Sequence, residues 1–246
     1  MRIARALALL GIASRRKCEI HVTNGAVKLN GEVVRDLGRQ VDLEQDDLVF
    51  RGRHLHFQNY VYFILHKPVG YITTAADPHA KKTVFDLLPR TLVSSTHQPG
   101  HARQRVFPVG RLDKDSSGLL FFTNDGDLAN SLTHPRFGVE KWYHARLDRA
   151  LDGEDIPKFL KGVWLYEGKA KFEKVESMTP RIVKVMLREG KKREVRRLFA
   201  KLGYEVVDLC RVAFGPLLLG NLPPGAGRFL TKSEVESLKK SLPKKA

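Results

Sequence analysis

Asp113 is the residue of this chain with the most chemistry open to it. It stands in "GRLDKDSSGLLFFTNDGD", residues 110–127, a glycine-punctuated stretch with Arg111 close beside it. A carboxylate in that setting could ligate a metal, cap a helix, shape a turn or act as a nucleophile. The metal option fails on spacing. Asp113-x-Asp115-x-Ser117-Gly118 begins like a calcium loop, but the twelfth position, where a bidentate Glu is required, is Asn124. The loop interior would also hold Leu119, Leu120, Phe121 and Phe122, four large apolar residues that belong in a core strand. Asp115, Ser116 and Ser117 suit local hydrogen bonds to the backbone, and Gly118 permits unusual dihedrals. Asn124-Asp125-Gly126 reads as a turn, with Asp125 or Asp127 capping a helix through 128–132. Asp113 resists these structural roles and reads as a carboxylate held at the floor of a cleft.

A second concentration of chemistry is "KKREVRRL", with Lys191, Lys192, Arg193, Arg196 and Arg197. On a helix, Arg193 and Arg197 share a face, and Arg196 is turned about a quarter turn from Arg197. Such a stripe suits phosphate. The whole chain agrees, since 43 Lys+Arg against 27 Asp+Glu leave a net charge of +16 over 246 residues. An excess of that size points to a polyanionic partner, nucleic acid before anionic membrane. The two cysteines, Cys18 and Cys210, lie far apart without CxxC spacing, and the nine histidines form no HExxH pair. Neither a zinc site nor a disulfide framework is expected, which fits a reducing cytoplasm. No apolar run approaches the ~18 residues of a membrane span. "ALALLGIA" precedes its basic residues, the reverse of a secretion signal.

The elements that must position these groups fall into two parts. Residues 1 to about 58 place Ile3, Ala6, Leu7, Leu10 and Ile12 at helical spacing. Ser14 then serves as N-cap of a second helix from 15 to about 23, ended by Asn24-Gly25. "AVKLNGEVV" alternates around Asn30-Gly31 as a hairpin, and "RQVDLEQDDLVFRG" supplies another strand or two. Arg15, Arg16 and Lys17 crowd the start of the second helix. From "FQNYVYFILHKPVGYITT", a buried-strand run, to about residue 238, β-rich segments alternate with a few helices. Residues 90–106 read as a surface loop, and 239–246 as a basic tail.

The N-terminal part resembles the small αL-type RNA-binding domain shared by a ribosomal protein, tyrosyl-tRNA synthetases and RNA-modifying enzymes. "LGIASRRKCEIHVTNGAVKLNGEVV" carries that resemblance through the basic Ser-Arg-Arg at a helix start and the Asn-Gly turn. The remainder resembles the pseudouridine synthases of the RsuA/RluB branch, which have Gly-Arg-Leu-Asp and then Thr-Asn-Asp-Gly. The similarity continues in "HKPVGY", "THPRFGVEKWYHARL", "REGKKREVRRLFAKLGYEV" and "RVAFGPLLLGNLPPGAGRFLT".

This resemblance implies an α+β fold: residues 1–58 as the RNA-binding domain, and 59–238 as a catalytic domain on a mixed, largely antiparallel sheet. It implies that Asp113 is the nucleophile of an isomerisation that detaches uracil from its ribose, turns it and rejoins it through carbon. That reaction needs no cofactor and no metal. Tyr143 matches the family's active-site tyrosine, which stacks on the uracil and helps remove a ring proton. Arg196 matches the motif arginine that keeps the carboxylate ionised against desolvation, with Arg197 as the rival. Trp142 and Ser116 depart from the smaller residue and the threonine expected there. Lys67 and Pro68 read as architectural or as a backbone contact to RNA. The target nucleotide must be flipped out, with Arg111 filling the space or holding a flanking phosphate. The expected partner is ribosomal RNA, of the large subunit, or an assembly particle, acted on by a monomer. The competing readings are a non-catalytic ribosome assembly factor with the same fold, and a tRNA-linked enzyme sharing only the N-terminal module.

Overall fold

The computed structural model describes residues 1–56, 59–74, 82–93 and 106–242. The chain divides into two compact units, one comprising Met1–Val61, Pro89–Phe107 and Thr123–Gly126, the other Tyr62–Leu88, Pro108–Phe122 and Asp127–Ala246.

The first unit begins with α1 (Ile3–Leu9) and α2 (Arg15–Thr23). Ser14 caps α2 as its sequence suggests, its hydroxyl accepting from Lys17 N at 3.4 Å. The short strands β1 (Val27–Leu29), β2 (Glu32–Val34), β3 (Leu48–Phe50) and β4 (Arg53–His54) form a sheet in the order β2-β1-β3-β4. Asn30 and Gly31 both take positive φ, 51° and 88°, which is what a two-residue hairpin turn matched to right-handed strand twist requires. Ile3, Ala6, Leu7, Cys18, Val22, Val27 and Leu48 close a core of their own. In the same unit the Asn124 amide is buried. Its Oδ1 accepts from Val61 N at 2.7 Å and its Nδ2 donates to the Asn59 carbonyl at 3.3 Å.

The second unit is built on one large sheet. Its strands begin with β5 (Tyr62–Lys67). After a 3-10 turn (Val84–Leu87) and the short helix α3 (Arg90–Val93), which itself falls in the first unit, come β6 (Phe107–Val109), β7 (Ser117–Thr123) and helix α4 (Gly126–Thr133). Then follow β8 (Lys141–Leu147), α5 (Ile156–Lys161), β9 (Val163–Leu165), β10 (Gly168–Ala170), β11 (Lys174–Ser177) and β12 (Ile182–Leu187). Helix α6 (Glu194–Lys201), strands β13 (Val206–Phe214), β14 (Leu217–Leu218) and β15 (Gly227–Phe229), and helix α7 (Lys232–Lys240) complete it.

The sheet order is β11-β12-β8-β13-β7-β5-β15, with β14 on β13 and β6 on β7, while β9 and β10 form a separate hairpin. β13 and β7 pair in parallel; β11–β12, β12–β8, β8–β13 and β15–β5 are antiparallel. The fold is thus α+β with a mixed, largely antiparallel sheet, as the resemblance implied.

Leu119, Leu120, Phe121 and Phe122 are fully buried in β7, each worth about 1.5–3 kcal/mol of burial, which disposes of the calcium-loop option. One expectation fails where it can be read: residues 90–93 are helical rather than loop. Pro89 precedes that turn, and its carbonyl accepts from Leu92 N at 2.9 Å, with Leu92 buried. Residues 94–105 lie outside the described residues.

Candidate active site

The loop 110–116 enters β7 with its backbone held from several directions. Thr73 Oγ1 donates to the Leu112 carbonyl at 2.9 Å. Lys67 Nζ donates to the carbonyls of Asp113 at 2.9 Å and Ser116 at 2.6 Å. Gly70 N donates to the Lys114 carbonyl at 2.8 Å, and Arg196 Nη2 to the Asp115 carbonyl at 2.8 Å. Every carbonyl from Leu112 to Ser116 therefore has a donor. The loop makes one turn of its own, Ser116 N donating to the Asp113 carbonyl at 3.1 Å, and its shape is otherwise fixed by donors from β5, from the segment after it and from α6.

Asp113 itself is half-buried, and its carboxylate forms no hydrogen bond or ion pair among the described residues. It lines an open hollow of about 480 Å³ with Val69, Gly70, Lys114, Asp115, Lys192 and Arg193. A free carboxylate in a rigid loop, beside a space that admits a base, is what a nucleophile requires.

The partner expected for it is engaged elsewhere. Arg196 Nε lies 3.4 Å from the Asp115 carboxylate, and its Nη1 donates to the Val206 carbonyl. Arg193 takes the same carboxylate through a forked contact, at 3.0 and 2.6 Å. The hydrogen bonds from Arg193 hold the Asp115 carboxyl below its ordinary value. An Arg196–Asp113 ion pair is thus replaced by an Arg196–Asp115 contact, because the half-buried guanidinium donates through Nη1 and Nη2 to the Val206 and Asp115 carbonyls, with Nε left without a hydrogen bond. The rival, Arg197, pairs with Glu167 at 2.8 and 2.6 Å.

The basic stripe is also reorganised. Arg193 is not inside the helix but is its N-cap, in the left-handed region at φ 52°, so it does not share a face with Arg197. The turn before it is closed by Glu194, whose Oε2 accepts from Lys191 N at 2.9 Å. Lys191 Nζ pairs with Glu189 at 2.9 Å. Of the five cations only Lys192, exposed at the hollow, has no side-chain partner among the described residues. Arg111 is exposed, as its proposed role needs, but it does not line the hollow. In the first unit Arg15 lies 3.8 Å from Glu19, while Arg16 and Lys17 project into solvent.

Tyr143 sits in β8, half-buried, directly opposite Arg211 of β13, which in turn is paired with Gly118 of β7. Two inter-strand spacings put its Cα about 10 Å from that of Gly118. Its ring packs on the core that contains Val195, Leu198 and Phe199, so it shares the face that α6 covers. Gly118 has φ +109°, and a Cβ there would stand 2.3 Å from the Arg211 carbonyl oxygen. Only glycine lets β7 and β13 come together beside the loop.

The sequence did not reveal the clamp. Lys67 is buried without exposure, and burial pushes its amine down to about 8, opposed by the charges of Asp113 and Asp115. A lysine at the end of a buried-strand run was its signal. Thr73 and Asp115 carried none beyond their type.

Comparison with known proteins gives the family and the fold. The family described as RNA pseudouridylate synthase matches residues 61–201, and the S4 domain matches residues 1–48. The chain is 36% identical over 244 residues to the ribosomal large subunit pseudouridine synthase B of Bacillus subtilis, covering 97% of this chain and 95% of that one. It is likewise 36% identical to an uncharacterized RNA pseudouridine synthase of Aquifex aeolicus, covering 98% and 95%. Among solved structures, a pseudouridylate synthase superposes with a TM-score of 0.68 at 28% identity, covering 97% of this chain and 99% of that one. With its S4 domain at one end and a pseudouridine synthase sheet carrying a free aspartate in a clamped loop, the chain belongs to the RNA pseudouridylate synthase family.

Proposed function

We propose that this enzyme converts uridine to pseudouridine in ribosomal RNA of the large subunit, with Asp113 as nucleophile. The single observation that carries the site assignment is the loop 112–116, in which all five carbonyls are held and the Asp113 carboxylate is left unpaired beside the hollow. The choice of RNA is supported by the name of the Bacillus subtilis relative and by the S4 domain.

In this reading residues 1–58 grip an RNA helix through Arg15, Arg16 and Lys17, and residues 59–238 do the chemistry. The target nucleotide leaves its stack and enters the hollow, with Arg111 and Lys192 on its flanking phosphates. The Asp113 carboxylate attacks and the N1–C1′ bond of the uridine breaks; the uracil turns, and its C5 bonds to C1′ as the carboxylate is released. The C5 proton lost is matched by the one N1 gains, with Tyr143 stacked on the ring and its hydroxyl helping the C5 proton to leave. Arg196 acts through the Asp115 carbonyl it holds, and so as a positioning residue for Asp113. The enzyme works in the cytoplasm as a monomer.

The test is to map pseudouridine in rRNA from cells lacking the gene and from cells complemented with wild type or Asp113→Ala. One signal lost on deletion and restored only by wild type is the expected result. Restoration by Asp113→Ala would remove Asp113 from the chemistry, and persistence of every signal would remove large-subunit rRNA as substrate.

A further inference from the structure

The β9–β10 hairpin carries two large aromatic rings in open solvent. Trp164 is 69% exposed and Tyr166 102% exposed, and neither makes a ring or cation–π contact among the described residues. The chain's other tryptophan is a contrast, since Lys174 and Lys184 cover its ring at 5.6 and 4.5 Å. The hairpin is not loose. Val163 and Leu165 turn inward onto the core of the second unit, and Ala170 is buried in it. Trp164 stands opposite Lys169 in the register, on the outward face. The turn is fastened to α6 by Arg197 Nη1, which donates to both Glu167 carboxylate oxygens, and Lys191 Nζ donates to the Lys169 carbonyl at 3.5 Å.

A rigid, outward-facing pair of rings loses the benefit of burial and gains nothing from the protein's own core. Its surroundings select the occupant. Of the four lysines in residues 156–171, Lys158 pairs with Asp155 and Lys171 with Glu173, while Lys161 and Lys169 have no acidic partner among the described residues; the segment's one glutamate is taken by Arg197. Exposed aromatic rings with an unpaired lysine beside one of them, Lys169 opposite Trp164, fit unpaired nucleotides, whose bases all offer a π-face and whose phosphates carry the charge. α6 links the two places: Arg197 fixes the hairpin, and its neighbour Arg196 holds the Asp115 carbonyl of the loop that carries Asp113.

We infer that Trp164 and Tyr166 form a stacking platform for the unpaired RNA strand flanking the target uridine. This rests on the function proposed above for the same chain. The platform binds without reading sequence, while the hollow receives the target nucleotide.

The test uses the full chain. In Trp142→Phe protein, emission comes from Trp164 alone, and titration with oligouridylate should quench it. Trp164→Ala/Tyr166→Ala should weaken oligouridylate binding about tenfold or more per ring, with rescue by Trp164→Phe/Tyr166→Phe. On a large-subunit rRNA transcript the same double variant should raise KM and keep kcat, its thermal unfolding unchanged because both rings are exposed. If the double variant binds oligouridylate and the transcript as wild type does, the platform is wrong even while wild type makes pseudouridine. If wild type makes none but the rings still govern oligouridylate affinity, the platform stands and the proposed function falls. A dimer that becomes a monomer in the double variant, with RNA affinity unaltered, would assign the rings to a second copy of the chain and overturn the inference.

Discussion

Lys67 Nζ, with no exposure to solvent, reaches from the end of β5 to the backbone carbonyl of Asp113 at 2.9 Å. The same ammonium donates to the carbonyls of Ser116 and Pro68, at 2.6 and 3.2 Å, so one buried cation fixes both ends of the turn. Lys67→Met keeps the bulk, leaves the Asp113 carbonyl only its turn donor, Ser116 N at 3.1 Å, and removes the ammonium from the Ser116 and Pro68 carbonyls; a buried unpaired acceptor costs about 1–3 kcal/mol. The expected outcome is a loss of about 3 kcal/mol in urea unfolding, and a fall in kcat that persists where the protein remains folded. Unchanged kcat in folded Lys67→Met would show that Asp113 needs no clamp.

The depressed value of Lys67, about 8 against 10.5 for an ordinary lysine, also predicts a pH dependence. Below pH 8 both folded and unfolded chains carry the proton, so the group adds no slope. Between 8 and 10.5 the unfolded chain binds more protons, and stability from this group rises with pH. The gain between pH 7.5 and 9.5 should be on the order of 1 kcal/mol and should vanish in Lys67→Met. Parallel stability profiles for the two proteins would place the titration elsewhere. Lys141, also pushed down to about 8 by burial, titrates alike in both proteins and cancels from the comparison.

Arg196 and Lys192 should fail in different ways. Arg196→Lys keeps a charge but cannot serve the carbonyls of Asp115 and Val206 together, because its ammonium lacks the planar fork. We expect kcat to drop about 100-fold, the cost of misplacing a reacting group, with KM for the transcript little changed. Lys192→Ala removes a cation free to meet a phosphate. It should raise KM, leave kcat, and flatten the salt dependence of binding by about one unit of slope. Steady-state kinetics at two salt concentrations separates the two, and equal behaviour of the variants would remove the distinction between positioning and grip.

Gly118→Ala should be among the most damaging of small substitutions. The added carbon would stand 2.3 Å from the Arg211 carbonyl oxygen and 2.4 Å from its nitrogen, at a φ of +109° that only glycine takes with ease. Backbone cannot step aside as a side-chain tip can. Overpacking and dihedral strain together predict a loss of about 3 kcal/mol or more, read from the thermal midpoint. A midpoint within a degree or two of wild type would mean that β7 and β13 separate freely.

What could be read from the sequence was what local chemistry decides. Ser14 before a basic helix, Asn30-Gly31 between alternating strands, and four apolar residues after Gly118 each act through near neighbours, and each took the expected form. The reading failed where the partner lay far along the chain. Nothing near Arg196 says that its guanidinium is taken by Asp115 and Val206. Nothing near Arg193 says that it leaves the helix to become a left-handed cap, because that turn is set by Glu194 reaching back to Lys191 N. A helical wheel drawn through 191–197 therefore assigns faces to residues that are not all on a helix.

The parallel contact of β7 with β13 has a consequence for the timing of synthesis. Asp115 and Arg196 are 81 positions apart, and Leu119 and Arg211 are 92 apart. At ordinary translation rates of about 5–20 residues per second, Asp113 leaves the peptidyl-transferase centre some seconds before Arg196, although Lys67, Gly70 and Thr73 precede it. The loop that carries Asp113 is therefore held on every side only after α6 and β13 have been laid down, long after the loop itself.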